Sequence, residues 1–179
     1  MSRRPLASLA AVIAAFAVAG TLAACGEEEE SEVAEGEPIE IADLSYNISL
    51  TRFLNPDDNE DAEYLVGQPP ADPGFAYLGV FLTIENETDE ELGSAADYVV
   101  RDTLENEYEP VESESPFALE IGAIVPADGS LPLPDTTAET GPNQGSLLIF
   151  LVDDEVSENR PLKLEIESDG ELGEVILDI

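Results

Sequence analysis

Two stretches of this sequence are apolar on every side, and they constrain the fold more than anything else in it. In Phe75–Glu85 (FAYLGVFLTIE), an extended chain places Leu78, Val80, Leu82 and Ile84 on one face and Tyr77, Phe81 and Thr83 on the other. Ser146–Val152 (SLLIFLV) is a continuous apolar run of strand length. Successive side chains of a strand point to opposite faces, so a strand apolar on both must be covered on both. Both segments are therefore predicted to be central strands, and the rest of the chain has to supply covers for two faces.

The rest of the pattern is mostly period two. After Pro38, Ile39 and Ile41 alternate with polar residues, and Leu44, Tyr46, Ile48 and Leu50 continue on one face, with a bend at Ala42–Asp43. Asn55–Gly74 carries Pro56, Gly67, Pro69, Pro70, Pro73 and Gly74 and is predicted to be a long loop, with Tyr64–Val66 docking back on the core. Asp97–Asp102 and Glu107–Val111 flank a turn and form a hairpin. Phe117–Val125 is read as a candidate short strand, and Pro126–Gly145 is predicted to be mostly loop with a short strand near Leu131–Leu133. Pro161–Glu167 alternates cleanly, and Asp169, Gly170 and Gly173 mark a tight connection to Glu174–Ile179. No amphipathic helix is predicted after the N-terminal segment. The expectation is an antiparallel β-sandwich of about seven or eight strands.

The N-terminus has a different character. Arg3 and Arg4 precede an apolar run from Leu6 to Ala24, and Leu22-Ala23-Ala24-Cys25-Gly26 leads into four consecutive Glu. A positive segment, an apolar segment and a small-residue site form the pattern of a secretory signal. The Leu-Ala-Ala-Cys ending resembles the lipobox of bacterial lipoproteins. That resemblance implies cleavage after Ala24 and a lipid on Cys25, the only cysteine of the chain. Removing residues 1–24 leaves 155 of the 179, enough for one domain and a tether. Residues 25–37 (CGEEEESEVAEGE) are predicted to be the lipidated cysteine and a disordered acidic tether. Gly26–Glu37 spans at most roughly 40 Å, and the domain proper is expected over 38–179.

All 41 acidic residues follow Cys25, against Arg52, Arg101, Arg160 and Lys163, which leaves a side-chain charge of −37. Such an excess excludes nucleic-acid binding, which needs basic patches, and disfavours electrostatic docking on anionic lipid. Solvation in a salty medium, cation binding and complementarity to a basic partner remain. The absence of His removes Ser-His-Asp and Cys-His catalysis and any imidazole metal site. A lipidated Cys25 leaves no thiolate for zinc.

The segments GVFLTIENETDEE, ADYVVRDTLENEYEP, GSLLIFLV and PLKLEIES together resemble the immunoglobulin-like lipoprotein domain of Gram-positive bacteria, related to the mycobacterial immunoprotective extracellular antigen. The matching details are a strand ending in Ile84-Glu85-Asn86, and Arg101-Asp102 before a hairpin with Tyr108. The family hairpin has Asp-x-x-Gly, and Asn106 stands near the Gly position here. The resemblance covers roughly Pro38–Ile179. It implies an immunoglobulin-like sandwich, lipid-anchored to the outer face of the membrane of a Gram-positive bacterium, and no particular chemistry.

Four sets of residues are candidates for function. Asp57, Asn59 and Asp61 have the 1, 3, 5 spacing of a calcium loop, with Ala62 and Gln68 departing from it at positions six and twelve; the cofactor, if any, is Ca²⁺ or Mg²⁺. Asp153, Asp154 and Glu155 form a second acidic group. Asp102 is expected to accept backbone N–H groups of its own turn. Tyr98 and Tyr108 are expected to cover one edge of the core with wet hydroxyls. The leading function is a non-enzymatic binding or accessory module of the cell envelope, for an envelope protein or a small ligand. The alternatives are a divalent-cation-responsive acidic surface protein and a carboxylate-based envelope hydrolase.

Overall fold

The two apolar runs lie side by side. In the structure, a computed structural model describing residues 31–179, β4 (Phe75–Asn86) and β10 (Ser146–Asp153) pair antiparallel, from Ser146 opposite Leu82 to Asp153 opposite Phe75. The predicted leader 1–24, its Leu22-Ala23-Ala24 motif and Cys25 lie outside the described residues. β3 (Leu44–Leu54) pairs with the other edge of β4, and β2 (Ile39–Ile41) with β3. β9 (Gly129–Leu131) continues along β4 beyond β10. The second sheet has the order β1 (Ser31–Ala34), β12 (Glu171–Leu177), β11 (Leu162–Ser168), β6 (Asp97–Arg101), β7 (Glu107–Tyr108). A two-stranded ribbon of β5 (Leu92–Gly93) and β8 (Ile124–Val125) completes the strands. The fold is an all-β sandwich, with twelve strands among the described residues because several are only two to four residues long.

Each face of β4 and β10 has its own cover. Leu78, Val80, Leu82, Ile84, Leu148, Phe150 and Val152 pack inward against Tyr98, Val100, Leu164, Ile166 and Val175 of the second sheet. Tyr77, Phe81, Leu147 and Ile149 pack outward against Tyr64, Leu65, Phe117 and Ala138. The outer cover includes two short helices, α1 (Asn59–Tyr64) and α2 (Thr137–Thr140), both within segments expected to be loop. Phe117–Val125 becomes strand only at Ile124–Val125; Phe117 and Leu119 are instead buried from an irregular segment.

The predicted bend at Ala42–Asp43 is a two-residue hairpin turn, with φ of 50° and 63°. Positive φ at both turn residues gives a connection whose twist matches the flanking strands. Asp169 and Gly170 repeat the device between β11 and β12. Leu50 is not on the face of Tyr46 and Ile48. The β3–β4 register shifts between Ile48 and Leu50, a bulge that moves every later side chain of β3 to the opposite face. Leu50, Arg52 and Leu54 therefore point outward, which carries Arg52 to α1.

The predicted tether ends sooner than expected. Ser31–Ala34 pairs parallel with β12, Ser31 opposite Gly173. The connection to β2 then crosses between sheets. The Glu35 carboxylate accepts the Thr51 N–H at 2.9 Å and the Asp178 N–H at 3.0 Å, and the Gly36 N–H donates to the Ile48 carbonyl at 2.8 Å. An acidic composition argues against burial but not against edge pairing. Backbone groups supply the pairing, and Lys163 neutralises Glu32 at 2.6 Å. The folded unit thus includes Ser31–Glu37 as well as 38–179. Among the described residues no helix is long and apolar enough to cross a membrane.

Candidate functional site

The three residues with calcium-loop spacing do not converge. Asp58 caps α1, its carboxylate accepting the Glu60 N–H at 2.9 Å and the Asp61 N–H at 3.4 Å, as a side chain at the first turn of a helix does. Asp57 and Asn59 are exposed on either side of it. Asp61, 3% exposed, points back under the helix, where both of its oxygens accept from the Arg52 guanidinium and one also takes the Asn55 N–H at 2.7 Å. Spacing alone suggested an ion. The helix separates the side chains, and the cation that Asp61 meets is Arg52. Arg52 also lies 5.8 Å from the ring centre of Tyr64, which packs edge-on to Phe81 and Phe117. Hydrogen bonding to Asp61 leads the effects that raise the Arg52 pKa above its ordinary value. Among the described residues no group of three or more carboxylate, His or Cys side chains stands where it could hold a metal ion.

Asp102 does what its turn requires. It accepts the Leu104 and Asn106 N–H groups at 2.8 and 3.0 Å and the Asn106 and Asn159 side-chain amides at 2.9 and 3.2 Å. Burial pushes its carboxyl up, but these donors together hold it below the usual Asp value. Positive φ falls at Glu105 (63°), one residue before Asn106; the Asn106 amide is used on Asp102 instead. Tyr98 is not at a wet edge. It is buried in the inner core, and its hydroxyl has no partner among the described residues, so burial drives its pKa well up. Tyr108 is half-buried and donates to Asp153 at 3.1 Å; burial and that carboxylate push it up to about 12. Asp154 and Glu155 are exposed, on the 3₁₀ turn that follows.

The described cations are all engaged. Arg101 bonds Glu165 through two nitrogens and Glu107 at 2.7 Å, and Lys163 bonds Glu174 at 2.8 Å and Glu32. These acids raise both pKa values. Arg160 donates to the carbonyls of Ser157 and Ile179.

A concave feature that the sequence reading did not find lies along the edge of β10 that faces away from β4. The Val111 N–H donates to Ile149 at 2.8 Å, and farther along Leu147 and Leu119 exchange bonds with Phe117 and Leu147 at 2.8 and 2.9 Å. Between these bridges the chain arches away from the strand through Glu112–Pro116. The arch is held to α1 and the turn after it. The Ser115 hydroxyl donates to the Glu63 carbonyl at 3.1 Å, and the Gln68 amide donates to the Glu112 carbonyl at 2.5 Å. At Gly67 (φ +83°), an added Cβ would stand 3.1 Å from the Glu114 side chain. The resulting cleft, about 610 Å³, is floored by Leu147–Ile149 and walled by Gly67, Gln68, Glu112, Glu114 and Ile121. Across Ala118 and Leu119 lies a second cleft of about 550 Å³, lined by Ile124, Leu131 and Leu133. Ile121, Ile124 and Leu133 are 45%, 57% and 44% exposed. The available signal was the pair Pro110 and Pro116, which bracket a polar break just before an apolar stretch.

No protein-family model matches the chain, and no curated protein matches it in sequence. Among solved structures it is similar to an uncharacterized β-sandwich protein from Clostridium difficile 630, with 17% identity and a TM-score of 0.51 over 85% of this chain and 97% of that one. It is also similar to the yjhA protein of Bacillus subtilis, with 14% identity and a TM-score of 0.51 over 83% and 99% of the two chains. At these identities the likeness establishes the β-sandwich and nothing about activity.

Proposed function

We propose that this chain is a non-catalytic binding module of the bacterial cell envelope, held extracytoplasmically by lipid on Cys25. Its β10-edge cleft would take an extended polypeptide segment or a small ligand. The localisation rests on the order of Arg3-Arg4, the apolar run and Leu22-Ala23-Ala24-Cys25. The resemblance to Gram-positive immunoglobulin-like lipoprotein domains supports the same reading.

The observation that favours binding over chemistry is the make-up of the cleft. Backbone and aliphatic side chains form its floor, and its volume suits a ligand. An apolar floor with polar side chains on the walls offers a bound segment burial together with a few orienting contacts. The titratable groups with shifted pKa values just described lie elsewhere. Asp102, Arg101, Lys163 and Tyr98 are shifted by turn donors, cross-strand partners or burial, all of which serve the fold.

The test is photo-crosslinking in intact cells. A benzoylphenylalanine at Ile121 should give a discrete adduct that the same residue at Glu155 does not, and Cys25→Ser should move the protein from the membrane fraction to the medium. Equal crosslinking at both sites would remove the cleft from consideration, and retention of Cys25→Ser in the membrane would remove the lipid anchor.

A further inference from the structure

β1 changes how an anchored domain would stand on its membrane. Ser31 already belongs to a paired strand, and only five residues, Gly26–Glu30, stand between it and Cys25 in the sequence. The span from Cys25 to Ser31 is at most about 20 Å, half the reach of a tether ending at Pro38. β1 is firmly held: four residues pair with β12, Glu32 pairs with Lys163, and Glu35 accepts the N–H of Thr51 in β3 and of Asp178 just past β12.

The direction of entry is fixed too. Ser31 lies opposite Gly173, at the end of the sandwich carrying the Ala42–Asp43 and Asp169–Gly170 turns, which are joined by the Ala42 N–H on Glu171 at 2.8 Å. The Glu105 turn and the Asp154–Glu158 3₁₀ turn lie at the opposite end, tied by the Thr103 N–H on the Asn159 carbonyl at 3.1 Å. The eleven residues of β3 put about 35 Å between the two ends.

We infer that β1 shortens the tether into a stalk that holds the sandwich end-on to the bilayer, with the Ala42–Asp43 and Asp169–Gly170 turns toward the lipid and the Glu105 end outward. This rests on Cys25 carrying the lipid, as proposed above. Charge reinforces the posture. The near end carries Glu40, Asp43, Asp169 and Glu171, which an anionic surface repels over a Debye length of about 8–10 Å. The short stalk draws this end in while repulsion keeps it from lying flat. The β10-edge cleft then opens to the side of the stalk, where a neighbouring envelope molecule can reach it.

The test uses the full chain, expressed with its leader in a bacterial host, purified in detergent and reconstituted into vesicles containing an acceptor-labelled lipid. Flotation is scored first. A donor dye is placed at Glu40→Cys in one sample and at Glu155→Cys in another. The expected result is roughly twofold or greater quenching at the near site relative to the far one, from the 35 Å between the ends. A Gly/Ser insertion of about ten residues between Glu30 and Ser31 raises the maximum reach to about 55 Å and should bring the two signals together without altering flotation. Equal quenching in the uninserted protein, or a contrast unmoved by the insertion, overturns the end-on stalk while leaving the anchor intact. Failure to float overturns the anchor, and the stalk with it.

Discussion

The inner face of β4 and β10 is buried along its length, whereas the outer face is buried over Tyr77, Phe81, Leu147 and Ile149 and exposed at Phe75 and Leu151, and the two are covered in different ways. The inner face meets a second sheet whose residues alternate on schedule: Leu162, Leu164 and Ile166 on β11, Tyr98 and Val100 on β6. The outer face meets α1, α2 and the irregular segment around Phe117, none of which has a usable period. These outer pieces are tied by a few polar contacts: the paired bonds of Arg52 to Asp61, Ser115 to the Glu63 carbonyl, and Asn143 to the Tyr64 hydroxyl at 2.9 Å. The difference is one of redundancy. Loss of one inner side chain is felt by the whole sandwich, whereas the outer cover depends on a few polar anchors whose failure would open it locally.

The sharpest way to break this contrast is a large inner deletion. Phe150→Ala should cost about 4 kcal/mol through lost burial and a residual cavity, read as a lower urea midpoint shared by all probes. A drop confined to the outer cover would contradict the distinction.

Next is Arg52→Met, which strands the buried Asp61 carboxylate. The expected cost is about 2–3 kcal/mol, at or just below the range for breaking a buried pair because Arg52 is partly exposed. Hydrogen exchange should quicken in α1 and around Phe117 well before the β4 amides respond. Restoring an uncharged partner with Asp61→Leu in the same chain should recover most of the loss. A uniform rise in exchange would show that the outer cover unfolds only with the core.

Asp102→Ala should cost about 2 kcal/mol at pH 7, from hydrogen bonds to a charged acceptor. Because folding lowers this carboxyl's pKa, its contribution is complete above the unfolded value of about 3.9 and is lost as pH falls through the folded value. The gap between the two proteins should hold from pH 7 to 5 and close in strong acid. A gap independent of pH would assign the effect to packing alone.

The mildest test concerns both covers together. Raising NaCl to about molar should raise the melting temperature by screening a chain with 41 acidic and only six basic residues. A flat response would mean that the acids are too dispersed to strain the fold.

The sandwich itself was legible because a strand with one or two apolar faces announces them at every second residue. Ile39–Ile41, Asp97–Arg101 and Pro161–Glu167 were found that way, and so was the double burial of Phe75–Glu85. The Asp102 turn was legible because an Asp beside a hairpin has local donors to satisfy. What the sequence concealed depends on contacts distant in the chain. The bulge at Ile48/Leu50 reverses a face that the pattern had assigned, and only the pairing with β4 reveals it. Asp61 looked like a cation ligand until that bulge delivered Arg52.

By itself, then, the sequence determined the class of fold, the central strands, the hairpins and the acidic, cysteine-marked N-terminus, all of which follow from periodicity, turn chemistry and composition, local properties of consecutive residues. Only the tertiary structure decided that Ser31–Ala34 is a strand, that Asn59–Tyr64 is a helix over the outer core, and that the β10 edge opens into a cleft. Each of these is set by which backbone edge or apolar face is left unmatched once the strong strands have paired, and no local window of residues contains that information.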